Sequence, residues 1–248
     1  RSLATPATGD AKEQVRDRPM ETSLHRELKH VYAEGAAQLE ATLDRFRIDV
    51  MLEDQLVEIQ HGSLAAIRSK VAELVRRHRV MVVKPLVARK RIIRQDARSG
   101  RVLSRRLSPK RAVLLDIFHE LVYFTHVFPH RNSVMEVPML VIEESRYPGH
   151  GRRYRRRRND FQVQDQKLVA IQSVHRLATH RDLADLAPAD LPDPFHTGHL
   201  AEALGIPRWF AQRIAYCYRK MGIATVQGKS GNAMLYRLAQ RSSPRKAA

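Results

Sequence analysis

Phe46-Arg47-Ile48-Asp49-Val50-Met51-Leu52-Glu53-Asp54-Gln55-Leu56-Val57-Glu58-Ile59-Gln60 is the stretch whose reading decides the fold. Phe46, Ile48, Val50 and Leu52 alternate with Arg47, Asp49 and Met51, the period of two of a strand with one buried face. Glu53-Asp54 is a polar turn, after which Val57 and Ile59 fall on one side and Leu56, Glu58 and Gln60 on the other. With a two-residue turn, Leu52 pairs with Gln55, and counting outward sets Asp49 opposite Glu58 on one face. Two carboxylates then lie roughly 5 Å apart.

Like charges at that spacing repel unless a cation lies between them, and oxygen ligands suit a divalent metal. An Asp followed nine positions later by Glu-x-Gln on the next strand resembles the PD-(D/E)XK nuclease superfamily, which includes type II restriction enzymes and Holliday-junction resolvases. Ile48 stands where the motif has proline, and Gln60 where it most often has lysine, a replacement known in some restriction enzymes. The resemblance implies that Asp49 and Glu58 hold Mg²⁺, or Mn²⁺, and that Gln60 orients water or phosphate. It also implies an acidic residue from the first helix, Glu27 or else Glu21. Lys70 is the candidate for a lysine that has moved from the strand to the following helix. Solvated surface groups are the alternative for Glu21, Glu27 and Lys70.

Composition points the same way. The 248 residues carry 44 Lys and Arg against 26 Asp and Glu, a formal charge of +18, so the natural partner is a polyanion. No run of about 18 apolar residues and no signal-peptide order is present, which favours nucleic acid over a membrane. The single cysteine, Cys217, excludes an internal disulfide and a multi-cysteine zinc site and reads as a small buried residue of a cytoplasmic protein.

Outward from the hairpin, residues 1–20 read as a flexible lead-in and a helix begins at Glu21, continuing to about Ala37 with Leu24, Leu28, Val31 and Tyr32 at helical spacing. A helix over residues 64–78 is capped by Ser63. Val80–Val83 reads as a central strand, residues 88–94 as a basic strand, and residues 98–111 as a cationic loop or ribbon. A helix over 111–125 and a buried strand over 135–143 extend the first domain. The run Arg152, Arg153, Tyr154, Arg155, Arg156, Arg157, Arg158 is read as a phosphate-binding ribbon, with a solvated loop or a nuclear localisation signal as alternatives.

The expected architecture is therefore α/β: a mixed central sheet flanked by helices, restriction endonuclease-like, over residues 21–160. Residues 161–194 read as a connecting segment, a strand followed by a helix over 161–177 and then a Pro-rich loop over 188–194. A helix capped by Thr197 stops at Gly205, a second begins at Pro207, and strands follow over 222–226 and 233–238 around a turn containing Lys229. Helix, turn, helix, hairpin is similar to the winged-helix family over residues 195–240, leaving a basic tail at 241–248. That resemblance implies DNA contacts by Arg208, Trp209, Gln212, Arg213, Tyr216, Arg219 and Lys220 on the second helix and by Lys229 on the wing; on its own, Trp209 reads as core more readily than as a contact. The expected function is a metal-dependent DNA endonuclease, cytoplasmic and nucleoid-associated, with a homodimer as the assembly considered. The alternatives are an inactive nuclease fold serving as a DNA-binding regulator, and an RNA-binding or RNA-processing protein.

Overall fold

Alternation in the quoted stretch and apolar runs after it build a mixed sheet of eight strands in the computed structural model, which describes residues 22–33, 37–149 and 160–239. The lead-in, Glu21, the arginine run from Arg152 to Arg158 and the basic tail lie outside the described residues.

Helix α1 (Ser23–Tyr32) precedes an antiparallel meander of β1 (Gln38–Leu43), β2 (Phe46–Met51) and β3 (Leu56–Ile59). Helix α2 (Arg68–Leu74) then crosses to β4 (Val80–Val83), which lies parallel to β3. Strands β5 (Leu86–Gln95) and β6 (Val102–Leu107) are antiparallel to each other. After α3 (Phe118–Leu121), β7 (Ser133–Pro148) runs parallel to both β4 and β5, with β8 (Phe161–Leu177) antiparallel along its other side. The pairs Val83↔Glu136 and Leu86↔Met139 keep one register, so β4 and β5 are a single line of chain interrupted at Lys84-Pro85. Proline has no N–H to give a ladder, and the interruption falls there.

Each face of the sheet has its own apolar layer. Leu24 and Leu28 of α1 pack on Val50, Val57, Ile59, Met81, Val83, Leu140 and Ile142. Across the sheet, Leu56, Val80, Val82, Met135 and Val137 meet Val71 and Leu74 of α2 and Phe118 and Leu121 of α3. Coverage on both sides explains why all four residues of β3 are buried, against the half-exposed strand that alternation predicts.

The second layer continues into the C-terminal elements. Helix α5 (Thr197–Leu204) ends at Gly205, whose φ of 61° is the left-handed conformation of a helix stop. Helix α6 (Arg208–Lys220) and a hairpin of β9 (Ala224–Ser230) and β10 (Ala233–Leu238) follow. Phe210, Ile214 and Tyr218 enter the same core as α3, with the Tyr218 and Phe118 rings edge-to-face at 5.5 Å. The core is thus continuous across the boundary at which two separate units were expected.

Several expected elements differ. Residues 161–194 are not a connector, because β8 pairs with β7 from Pro148↔Phe161 to Met135↔Leu177, and only the short α4 (His180–Ala184) and a loop separate it from α5. Strand β1 was not anticipated. The helix expected over 64–78 is a 3-10 turn (Leu64–Ala66) and α2, parted at Ile67 (ψ 0°), and that over 111–125 is a 3-10 turn (Leu114–Ile117) and the single turn of α3. Ser63 does cap, accepting from Ala65 N. His196, not Thr197, caps α5: its Nδ1 accepts the N–H groups of Gly198 and His199 at 3.0 and 3.1 Å. Lys229 sits in β9, because that strand runs on to Ser230, rather than in the turn. Among the described residues no helix is long and apolar enough to cross a membrane.

Candidate active site

The expected register is present. Met51 pairs with Leu56 and Val50 with Val57, and Leu52 N donates to Gln55 O at 2.9 Å, so Asp49 and Glu58 are the next pair along. The ladder stops short of them. Ile48 lies in the α2-side core and Val50 in the α1-side core, so β2 turns its faces over within two residues at Asp49. The side chains fill the gap this opens. Asp49 Oδ2 accepts the Ile59 N–H at 2.8 Å, and the Asp49 N–H in turn stabilises the Glu58 carboxylate. On the neighbouring strand Glu40 has φ 54°, a local distortion opposite the same point.

Glu58 is 3% exposed. Burial pushes its carboxyl up to about 7, with the Asp49 charge adding to the effect and Lys70 opposing it. Lys70 Nζ lies 2.5 Å from Glu58 Oε1 and also donates to Arg47 O. Oε1 is buried, and Lys70 is the group that meets it. Asp49 behaves oppositely. Burial alone would raise its pKa, but His25, the Ile59 N–H and Lys29 together hold it below the usual carboxylate value. His25 Nε2 is 3.4 Å and Lys29 Nζ 3.6 Å from Asp49 Oδ1, and Lys29 also meets Glu40 at 2.8 Å.

Asp49, His25, Lys29 and Glu40 line a cleft of about 580 Å³ that also takes in Arg47, Gln60, His61 and Gln166, whereas Glu58 and Lys70 are not part of its lining. Gln60 donates its amide to Ser63 O at 2.9 Å. The turn that carries it is held from beneath by Lys84, 4% exposed, whose Nζ donates to His61 O at 3.0 Å and Gly62 O at 2.5 Å. Burial lowers the Lys84 pKa, and Glu120, 3.9 Å away, opposes that. Burial also lowers His61 to about 4, with the charges of His25 and Lys84 reinforcing it, and the His61 Nε2 has no partner.

Of the residues singled out in the sequence, Asp49, Glu58, Gln60 and Lys70 are brought together. Glu27 is not: it projects from the flank of α1 toward β8, and its Oε2 accepts Leu168 N at 2.6 Å. The α1 residues at the site are His25 and Lys29, four apart and one flank over. That spacing was visible, but an acidic residue was sought there. Lys84 was also missed; a lysine directly after four apolar strand residues was the available signal.

Asp49 and Glu58 present the hard oxygen donors that Mg²⁺ or Mn²⁺ prefers, with the Lys70 ammonium already against Glu58 Oε1. Among the described residues no group of three or more His, Cys, Asp and Glu converges. A cation held here would complete its sphere with water and a ligand's oxygens, as Mg²⁺ often does.

On α6, Arg208, Trp209, Gln212, Tyr216, Arg219 and Lys220 are exposed and form one face. Trp209 is 56% exposed and so belongs to that surface, not to the core. Arg213 is half-buried: it meets the His119 ring and lies 5.5 Å over the Trp209 ring. Lys229 is exposed on β9.

Residues 22–178 match the family described as a domain of unknown function, DUF8091. The chain belongs to this family. The DUF8091 domain begins at α1 and closes with β8, taking in both carboxylates, Gln60, Lys70 and the whole sheet. A relative that reaches beyond it is an uncharacterized protein of Treponema pallidum (strain Nichols), 29% identical over 219 residues, which are 88% of this chain and 85% of the relative. No solved structure matches the chain.

Proposed function

We propose that the chain is a metal-dependent DNA endonuclease with a PD-(D/E)XK-like core. The observation that carries this reading is the crossing of Asp49 and Glu58 where β2 and β3 part, with Lys70 Nζ 2.5 Å from the buried Glu58 carboxylate. Asp49 and Glu58 hold Mg²⁺ or Mn²⁺. When bound, such an ion polarises a scissile phosphate and lowers the pKa of an attacking water. Lys70 sets a fixed positive charge beside the site, where a phosphorane-like charge would grow. Gln60 faces the same cleft and orients water or phosphate. Lys29 and Arg47 bring two cations to the floor, balanced by Glu40 and Asp49, so a bound metal would supply the positive charge that receives a phosphodiester.

The C-terminal elements serve as a winged helix in this reading, with α6 entering the major groove and the β9–β10 hairpin meeting the backbone. Arg208, Arg219, Lys220 and Lys229 are among its exposed cations, and Arg213 orders Trp209 from below. The net charge of +18 supports a nucleic-acid partner.

The test is cleavage of supercoiled plasmid and of a branched DNA junction, with Mg²⁺, Mn²⁺ or chelator, beside Asp49→Ala. Metal-dependent cutting that is lost in the variant while DNA binding persists is the expected result. Cutting that survives in Asp49→Ala overturns it.

A second reading, a nuclease fold that binds DNA without cutting, is favoured by Gln60: an amide stands where a lysine is usual, and it is tied to Ser63 O. Tight DNA binding with no cutting and no Mg²⁺-dependent stabilisation would select it.

A further inference from the structure

The N-terminal ends of β4 and β7 and the C-terminal end of β8 enclose a second cleft, of about 760 Å³, larger than the one beside the carboxylates. It opens at the other end of β3 and β4, so about 10 Å of sheet lies between the two. Its lining contains Arg79, Arg131, Arg176, His130 and His180 and no Asp or Glu. Arg79 and Arg176 each hold one carboxylate from outside the lining, Asp54 at 3.2 Å and Glu136 at 3.1 Å. Arg131 is exposed, and no acidic partner is found for it among the described residues, so the cleft is net positive.

The wall is also built to donate. His130 Nδ1 accepts the Asn132 N–H at 3.1 Å, which leaves the neutral ring its proton on Nε2. Asn132 is anchored in turn to Val75 O at 2.9 Å, and His130 bridges to Ser133, so the turn is held in place before any ligand arrives. Thr179 Oγ1 accepts from Asp182 N and its hydroxyl bonds the Asp182 carboxylate, which fixes this side of the wall. Ser133, 5% exposed and part of the lining, has a buried hydroxyl with no hydrogen-bond partner. Buried polar atoms without partners are few in folded proteins, and each calls for a ligand or water to satisfy it.

We propose that this cleft is a second, separate site that binds a phosphate group, with Arg131 and Arg176 gripping its oxygens and His130 and Ser133 donating from the wall. Guanidinium forks match phosphate oxygens, and the volume suits a nucleotide-sized ligand. The inference stands on the residues of this cleft and holds whether or not the carboxylate pair cuts DNA.

The experiment is isothermal titration of the full chain, in chelator, with inorganic phosphate, adenosine monophosphate, and an oligonucleotide with and without a 5′-phosphate. Arg131→Ala and Arg176→Ala are compared with Arg105→Ala on the exposed strand β6, which removes the same charge elsewhere. One saturable phosphate site is expected, weakened about tenfold or more by either cleft variant and unchanged by Arg105→Ala. Arg131 is exposed and unpaired, so its variant keeps the test sound if removing Arg176 from Glu136 disturbs folding. Preference for the 5′-phosphorylated oligonucleotide assigns a strand end as the source of the phosphate, and preference for the monophosphate assigns a free nucleotide; either upholds the site. Absence of saturable phosphate binding, or equal losses in all three variants, overturns it.

Discussion

Glu58 and His61 sit three residues apart and act on stability in opposite senses. Glu58 is raised from 4.5 to about 7, so the folded state holds its proton more tightly than the unfolded chain does. Its contribution is fully present below pH 4.5 and is lost as pH rises through 7, on the order of 3 kcal/mol. His61 is lowered from 6.5 to about 4, so its contribution is present above pH 6.5 and is lost as pH falls toward 4. Across the shared window the two oppose each other, and the wild type should be flatter with pH than either single variant. In Glu58→Gln the stability should rise relative to wild type by about 3 kcal/mol between pH 4.5 and 7.5, measured by chemical denaturation. Parallel profiles for the two proteins would contradict a raised Glu58. Because this carboxyl must lose its proton to hold a cation, the Mg²⁺-induced rise in Tm should also be larger at pH 8 than at pH 6. Equal shifts at both would count against Glu58 as a ligand. Asp49, Glu58 and Gln60 were legible because alternation and a two-residue turn fix register over a few positions. His25 was not, since which flank of α1 faces β3 depends on docking, and no local pattern records it.

At the scale of elements, α1 is fastened by a residue first taken for a metal ligand. Glu27→Ala should cost about 1–3 kcal/mol by leaving the Leu168 N–H without its acceptor, while plasmid cleavage keeps its metal dependence. A loss of metal dependence in that variant would return Glu27 to the site. Gly205→Ala tests the α5–α6 turn. A Cβ there meets nothing within 4 Å, so the cost is conformational alone, about 1 kcal/mol from φ 61°. Strands β3, β4 and β5 were readable as apolar or alternating runs. Strand β8 was legible only in part, as a strand giving way to a helix, because Gln162, Gln164, Asp165, Gln166 and Lys167 place polar groups on both faces and its partner is the strand before it, not a patterned core. Strand β1 was hidden by its exposure, which leaves Leu39 at 39% and Glu40 in a conformation no propensity favours.

For the whole molecule, charge and core give separate handles. Arg208→Ala and Arg219→Ala should weaken duplex binding and each flatten the slope of log affinity against log salt by about one, whatever the DNA sequence. An unchanged slope in both would place the DNA elsewhere on the surface. Phe118→Ala removes a fully buried ring that touches Tyr218, and should cost about 3–5 kcal/mol while thermal unfolding remains one transition. Two separate transitions would mean that the sheet and the α5–β10 elements fold independently.

The continuity of that core also bears on how the chain would respond to being cut. Residues 188–194 are the exposed stretch between α4 and α5, yet Leu183 before it and Phe195 after it are both buried, and the Tyr218 hydroxyl donates to Leu183 O at 3.0 Å. A protease that nicks this loop should therefore release nothing. The two fragments would stay associated through native column chromatography and part only in denaturant, and co-expressed as separate polypeptides they should reassemble by complementation.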